Sequence, residues 1–249
     1  MLIFLDTAII DEVREMIELG VIDGVTTNPS LMARAGRHDY RNVTQEICSL
    51  VQGPVSAEVI STDAEGMAEE ALRIAQWSPH VAVKIPLTRD GLRALKILNS
   101  HHADPATICD GCPWLGECDT PPDAARDLVA MRPIQFNVTL IFSANQALLA
   151  AKAGATYVSP FAGRLDDAGN DGMRVVQEIR TVLDNYDFET RIIAASIRNP
   201  LHLVQASLIG ADVATVPYAV LAKAIRHPLT DAGVKAFLDD WESAKASAP

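Results

Sequence analysis

Basic residues are scarce in this chain: 21 lysines and arginines stand against 32 aspartates and glutamates, for a net charge of −11. A chain so acidic lacks the positive surface that phosphodiester backbones and anionic lipid headgroups require, which sets both aside as partners. It does not set aside a small phosphorylated ligand, because two arginines placed together can hold one phosphate. Long apolar runs are missing as well. The opening run Met1–Leu5 stops at Asp6 with no basic flank, so it reads neither as a membrane span nor as an export leader, and a cytoplasmic location is expected. Cysteine is sparse, four in 249 residues. In a reducing compartment such residues are thiols or metal ligands rather than disulfides.

What the chain does have is alternation. Short β-rich apolar runs at Leu2–Leu5, Gly24–Thr27, Val55–Val59, Val81–Ile85, Phe136–Phe142, Ala155–Ser159, Ile192–Ser196 and Val213–Val216 are each followed by helix-like sequence. Eight such alternations predict a parallel (β/α)8 TIM barrel, an architecture that typically needs about 250 residues. One domain, 1–249, therefore uses the whole chain. A last amphipathic helix, Asp231–Ala246, extends past the eighth unit and puts Val234, Phe237, Leu238 and Trp241 on one face, suited either to a neighbouring subunit or to its own barrel.

One of the strands carries a lysine in its middle, Val81-Ala82-Val83-Lys84-Ile85-Pro86. An ammonium inside a strand covered on both faces is costly without a partner. Two readings stand: Lys84 snorkels out at the strand end, or it is kept as a nucleophile that forms a Schiff base with a carbonyl substrate. The other strand ends weigh on the choice. They carry Asp6, Thr26 and Asn28, Glu58, Asn137 and Thr139, Ser159 with Arg164, and Ser196 with Arg198. Barrel enzymes draw their reacting groups from these ends. A Schiff-base lysine needs a proton shuttle to expel water from the carbinolamine and a second acid/base at the adjacent hydroxyl, and Asp6 and Glu58 can divide those tasks. Amides such as Asn28 and Asn137 suit sugar hydroxyls, and Arg164, Arg198 and Ser196 suit a terminal phosphate.

The runs LDTA (5–8), GVTTNPSL (24–31), SAEV (56–59), VKIPLT (83–88), NVTLIFSANQALLAAKAGATYVSPFAGRLDD (137–167) and AASIRNP (194–200) resemble the transaldolase family, in its short-chain branch that also holds the fructose-6-phosphate aldolases. The resemblance implies class I chemistry without a cofactor, transfer of a dihydroxyacetone unit between sugar phosphates in the non-oxidative pentose phosphate pathway, and a homo-oligomer, pentameric or decameric. It implies Lys84 as the Schiff-base lysine, Asp6 as acid/base for carbon–carbon cleavage, and Glu58 with Thr139 as a water-mediated relay. Asn28, Asn137 and Ser159 would hold the dihydroxyacetone fragment, and Arg164, Arg198 and Ser196 the phosphate. Aldolases of the branch carry glutamine at Glu58 and tyrosine at Phe161, where a phenol can protonate the enamine. Phe161 has no donor. Both positions favour the transferase over the lyase, and the intact polar constellation at the barrel mouth disfavours a non-catalytic metal-binding scaffold.

Outside that pattern lies an insertion, residues 99–133, between the fourth helix and the fifth strand. It carries Cys109, Cys112 and Cys118 with His101 and His102 upstream, and Cys48 is expected on the same barrel face. Thiolate and imidazole ligands suit a structural zinc, although the spacing matches no standard zinc-ribbon pattern.

Overall fold

A computed structural model of the protein describes residues 1–102 and 134–246, with the side chains of His101 and His102 left out. The strands are β1 (Leu2–Asp6), β2 (Gly24–Thr26), β3 (Val55–Glu58), β4 (Val81–Pro86), β5 (Gln135–Ile141), β6 (Tyr157–Pro160), β7 (Arg191–Ala194) and β8 (Val213–Val216). All neighbours pair parallel, and β8 closes on β1 through Phe4 opposite Thr215, so the sheet is a closed eight-stranded barrel. The helices are α1 (Ile10–Glu18), α2 (Pro29–Arg34), α3 (Tyr40–Val51), α4 (Ala64–Ala75), α5 (Arg89–His102), α6 (Ala144–Lys152), α7 (Ala162–Asp167), α8 (Gly172–Asn185), α9 (Pro200–Ile209), α10 (Tyr218–Ile225) and α11 (Pro228–Ala246). This is the (β/α)8 architecture that the alternation predicts.

Helix starts follow local chemistry. Asn28, Asp39, Asp63, Ser143, Asp171 and Asn199 each accept a hydrogen bond from a backbone N–H three residues on. Each such cap stabilises its helix by about 1 kcal/mol. The apolar stripes then bury against the outside of the sheet: Val13 and Met16 from α1, Ile47 from α3, Ile74 from α4, Leu95 and Leu98 from α5, and Val176, Ile179 and Leu183 from α8 join the outward side chains of the strands in one core. Full burial of such a side chain contributes roughly 1.5–3 kcal/mol.

Inside the barrel a second, smaller cluster of Phe4, Ala82, Tyr157, Ile193 and Val213 forms an apolar floor. Side chains alternate with period two along a strand, so the next inward residue on each of these strands lies one layer higher. Those residues are Asp6, Lys84, Ser159, Ala195 and Thr215. The polar mouth is therefore the direct consequence of register above an apolar floor. Gly24 is required at the bottom of β2, because a Cβ there would lie 2.7 Å from the Phe4 ring.

Several boundaries differ from expectation. The helical stretch expected within Ser30–Val51 is two helices, broken at Gly36, whose φ of +64° a glycine adopts without the cost a side chain brings. α5 continues past Leu98 to His102, so the first residues of the expected insertion are helix, and Asn99 Nδ2 donates to the Ala153 carbonyl at 2.7 Å. The rest of the insertion, with Cys109, Cys112 and Cys118, lies outside the described residues. The short helix α7 was not foreseen; with six residues it is too brief to show a period. α11 begins at Pro228, where a missing N–H costs nothing. Its apolar row does not cover its own barrel: Phe237 is 75% exposed and Trp241 60%. Among the described residues no helix is long and apolar enough to cross a membrane.

Candidate active site

The polar layer lines a cavity of about 290 Å³ at the C-terminal mouth. Register brings its members together: Asp6 lies opposite Thr26, Glu58 opposite Lys84, and Lys84 opposite Asn137. Lys84 is 5% exposed, which excludes the snorkelling reading of the sequence. Its Nζ sits 3.0 Å from Glu58 Oε2 and donates to the Thr27 carbonyl at 3.3 Å. Glu58 is the carboxylate in ion-pair contact with that amine, placed where it can exchange a proton with it. The Asn137 amide spans the floor of the cavity, donating from Nδ2 to Ser56 Oγ at 3.2 Å and accepting at Oδ1 from Ser159 Oγ at 2.6 Å.

Asp6 faces the lysine from β1. It accepts from Thr26 Oγ1 at 2.6 Å, and Thr26 Oγ1 also meets Thr215 Oγ1 at 2.5 Å. Burial pushes the Asp6 carboxyl above its ordinary range, against the opposing pull of the Thr26 hydroxyl and the charge of Lys84. An aspartate so shifted is brought closer to the pH at which an acid/base can both take and return a proton.

Thr139 is fully buried, and its Oγ1 has no hydrogen-bond partner among the described residues. Thr139 lines the cavity, so a bound group could reach this hydroxyl there. Leu140, just after it, has φ of +58°, and the pairing of β5 with β6 shifts register between Val138 and Ile141. Ser196, also on the cavity wall, has φ of +60°. Non-glycine residues in this region cost of order 1–3 kcal/mol, and such strain clusters at functional sites.

At the rim, Arg198 Nη2 pairs with Asp167 Oδ2 at 2.6 Å, and the Arg164 guanidinium lies 4.8 Å from the centre of the Phe161 ring. Phe161 packs in turn against Phe142 at 5.9 Å. α7 approaches the end of β7 so closely that a Cβ on Gly163 would sit 2.0 Å from the Ser196 carbonyl oxygen. That approach brings Arg164 and Arg198 to one wall. Asn28 caps α2 through Oδ1, which accepts from Leu31 N at 2.9 Å, so the cap and the cavity-lining reading hold together.

All of the expected site residues except Glu58 line the cavity. Ser30, Arg34 and Thr215 line it as well and were not singled out from the sequence. Ser30 and Arg34 are four residues apart on α2 and share a helical face with Asn28's end of that helix, which is the signal that would have found them. Tyr40 carries no such signal in the sequence; its hydroxyl bonds to the Thr27 hydroxyl and the Glu58 backbone N–H, next to the two residues that hold the Lys84 amine.

The expected zinc ligands Cys109, Cys112 and Cys118 lie outside the described residues, as do the side chains of His101 and His102. Cys48 is described: it is buried among the core residues of α3, and burial pushes its thiol up, away from the thiolate a metal takes. Among the described residues no group of three or more potential ligands is placed to hold a metal.

The transaldolase/fructose-6-phosphate aldolase family model matches residues 3–248. The chain is 50% identical over 239 residues to a probable transaldolase of Geotalea uraniireducens (strain Rf4), covering 96% of this chain and 97% of the relative. It is 51% identical over 243 residues to a probable transaldolase of Carboxydothermus hydrogenoformans, covering 98% and 99%. Among solved structures, a putative fructose-1,6-biphosphate aldolase from Coccidioides immitis superposes with a TM-score of 0.50 at 12% identity, over 92% of this chain and 81% of that one. That likeness concerns the barrel alone. The chain belongs to the transaldolase/fructose-6-phosphate aldolase family.

Proposed function

We propose that the cavity carries out transaldol transfer with Lys84 as the Schiff-base nucleophile. The protein is a transferase that moves a dihydroxyacetone unit from sedoheptulose 7-phosphate to glyceraldehyde 3-phosphate, giving erythrose 4-phosphate and fructose 6-phosphate in the non-oxidative pentose phosphate pathway. The single observation behind the residue assignment is the buried Lys84 Nζ, 3.0 Å from Glu58 and open to the cavity. Lys84 adds to the ketose carbonyl. Glu58, through a water held on the free Thr139 hydroxyl, shuttles the protons that expel hydroxide as water from the carbinolamine. Asp6 then takes the proton from the hydroxyl on the carbon β to the iminium carbon, the bond between the α and β carbons breaks with its electrons moving into the enamine, and the aldose leaves. The enamine stays on Lys84 until an acceptor aldehyde arrives, and the steps reverse. Asn28, Asn137 and Ser159 hold the three-carbon unit. Arg164, Arg198 and Ser196 hold the phosphate, which displaces Asp167 from Arg198. Thr26 fixes the Asp6 carboxylate. No cofactor is required.

Phe161 lies at the cavity wall where it offers no proton to the enamine. Glyceraldehyde 3-phosphate is therefore expected from fructose 6-phosphate only when erythrose 4-phosphate is present as acceptor, and Phe161→Tyr is expected to raise acceptor-free release of dihydroxyacetone by roughly a hundredfold, the low end of what a positioned proton donor contributes. Product from the parent protein without acceptor would make it an aldolase; no gain in the variant would remove the role given to residue 161.

The phosphorylated substrates and the acidic surface fit a cytoplasmic enzyme. A homo-oligomer, pentamer or decamer, is supported by the uncovered apolar side chains of α11 (Val234, Phe237, Leu238 and Trp241) and by Leu208 of α9, 82% exposed. Sedimentation velocity at micromolar concentration is expected to show the oligomer, and a sole monomer peak would overturn that assignment.

A further inference from the structure

Tyr40, the first residue of α3, is not among the cavity-lining residues, yet its hydroxyl bonds to both residues that flank the Lys84 amine, at atoms other than those facing it. Glu58 N donates to Tyr40 Oη at 2.7 Å, and Tyr40 Oη meets Thr27 Oγ1 at 3.1 Å. Thr27 Oγ1 also donates to the Ser56 carbonyl at 2.8 Å. A threonine hydroxyl has one hydrogen, so with that hydrogen on Ser56 it can only accept from the phenol. The direction of the whole chain follows: Glu58 N–H to Tyr40 Oη, Tyr40 O–H to Thr27 Oγ1, Thr27 O–H to Ser56 O. Every donor is used once.

The place where this chain sits has a topological reason. Thr27 N still bonds to Ser56 O at 2.9 Å, the last rung between the ends of β2 and β3. Beyond it the strands part, which leaves the Glu58 N–H without a strand partner on that side. The Tyr40 hydroxyl fills the gap. On the cavity side of the same gap, Thr27 offers its carbonyl and Glu58 its carboxylate to Lys84. The ring is anchored by an edge-to-face contact with Trp77, centroids 5.6 Å apart.

We propose that Tyr40 is a positioning residue that sets the separation of Thr27 and Glu58, and so fixes Glu58 for proton transfer at Lys84. The inference rests on the reading of Lys84 as the nucleophile and Glu58 as its proton shuttle. Burial lifts the phenol to about 12, so it stays protonated and the chain keeps its direction across the working range.

Tyr40→Phe keeps the ring on Trp77 and removes only the bridging oxygen. The expected result is a kcat lower by roughly tenfold, with KM within about twofold and a similarly slower single-turnover borohydride trapping of fructose 6-phosphate, because small misplacements of a reacting group carry such factors. A role confined to packing would lower the melting temperature without that split. The discriminating measurement is Tyr40→Phe in a Glu58→Gln background: the kcat effect is expected to vanish there, since the group being positioned is already gone. An unchanged kcat in the single variant, or the same factor in both backgrounds, would overturn the proposal. Should Tyr40→Phe fail to fold, Thr27→Val breaks the same chain one link further on, and the same pair of measurements decides. Loss of trapping on Lys84 replacement is read separately, so a wrong nucleophile and a wrong role for Tyr40 are told apart.

Discussion

Replacing Lys84 by alanine is expected to abolish transfer, by roughly four orders of magnitude or more, and to eliminate borohydride trapping with fructose 6-phosphate. The size of the effect follows from the covalent role: the iminium is the electron sink for bond cleavage, and no neighbouring group can replace it. Every other lysine of the chain, namely Lys96, Lys152, Lys223, Lys235 and Lys245, lies on a helix, away from the barrel mouth. Removal also leaves the Glu58 carboxylate, largely buried, without its ion-pair partner, so the variant should melt lower. Circular dichroism would show that it is still folded at the assay temperature. A trapped adduct in the folded variant would mean that another amine is the nucleophile.

Asp6→Asn is expected to behave differently, losing roughly two to three orders of magnitude in kcat, the scale of a positioned general acid/base, while still forming the trapped Schiff base. Chemistry would stop at the iminium, before the carbon–carbon bond breaks. Stability should move the other way. Burial raises the Asp6 carboxyl, so between its ordinary value and the raised one the folded chain holds a proton that the unfolded chain has released. Stability from this group is therefore lost as pH rises through that window, and above it the buried, ionised carboxylate weakens the fold. Asparagine carries no such charge, keeps an oxygen for the Thr26 hydroxyl, and should melt no lower than the parent at pH 7. A kcat within a few-fold of the parent would remove Asp6 from the mechanism. Loss of trapping would move its role to the steps before the iminium.

Gly24 and the polar mouth show how far a linear pattern reaches. The eight β-rich runs and their spacing state the barrel directly, because a parallel sheet covered by helices must read as apolar strands alternating with amphipathic helices. Lys84, Asp6 and Glu58 were visible because a charge at a strand end has no packing reason to be there. α7 was not visible: six residues complete fewer than two turns, and the sequence there signals only a loop. Arg34 was not, because on an exposed helix an arginine is an ordinary surface residue until the fold turns that face to a cavity.

The sequence by itself determined the barrel, the layer of polar residues at its mouth and the lysine among them, since strand periodicity and the cost of burying charge are local properties of the chain. Only the tertiary structure decided which groups meet across strands. That the Lys84 amine lies against Glu58, that the Thr139 hydroxyl is left without a partner, and that the Tyr40 phenol bridges Thr27 to Glu58 depend on register and on where β2 and β3 part. Contacts between residues far apart in the chain leave no mark on the pattern of either one, so those distances are written only in the closed sheet.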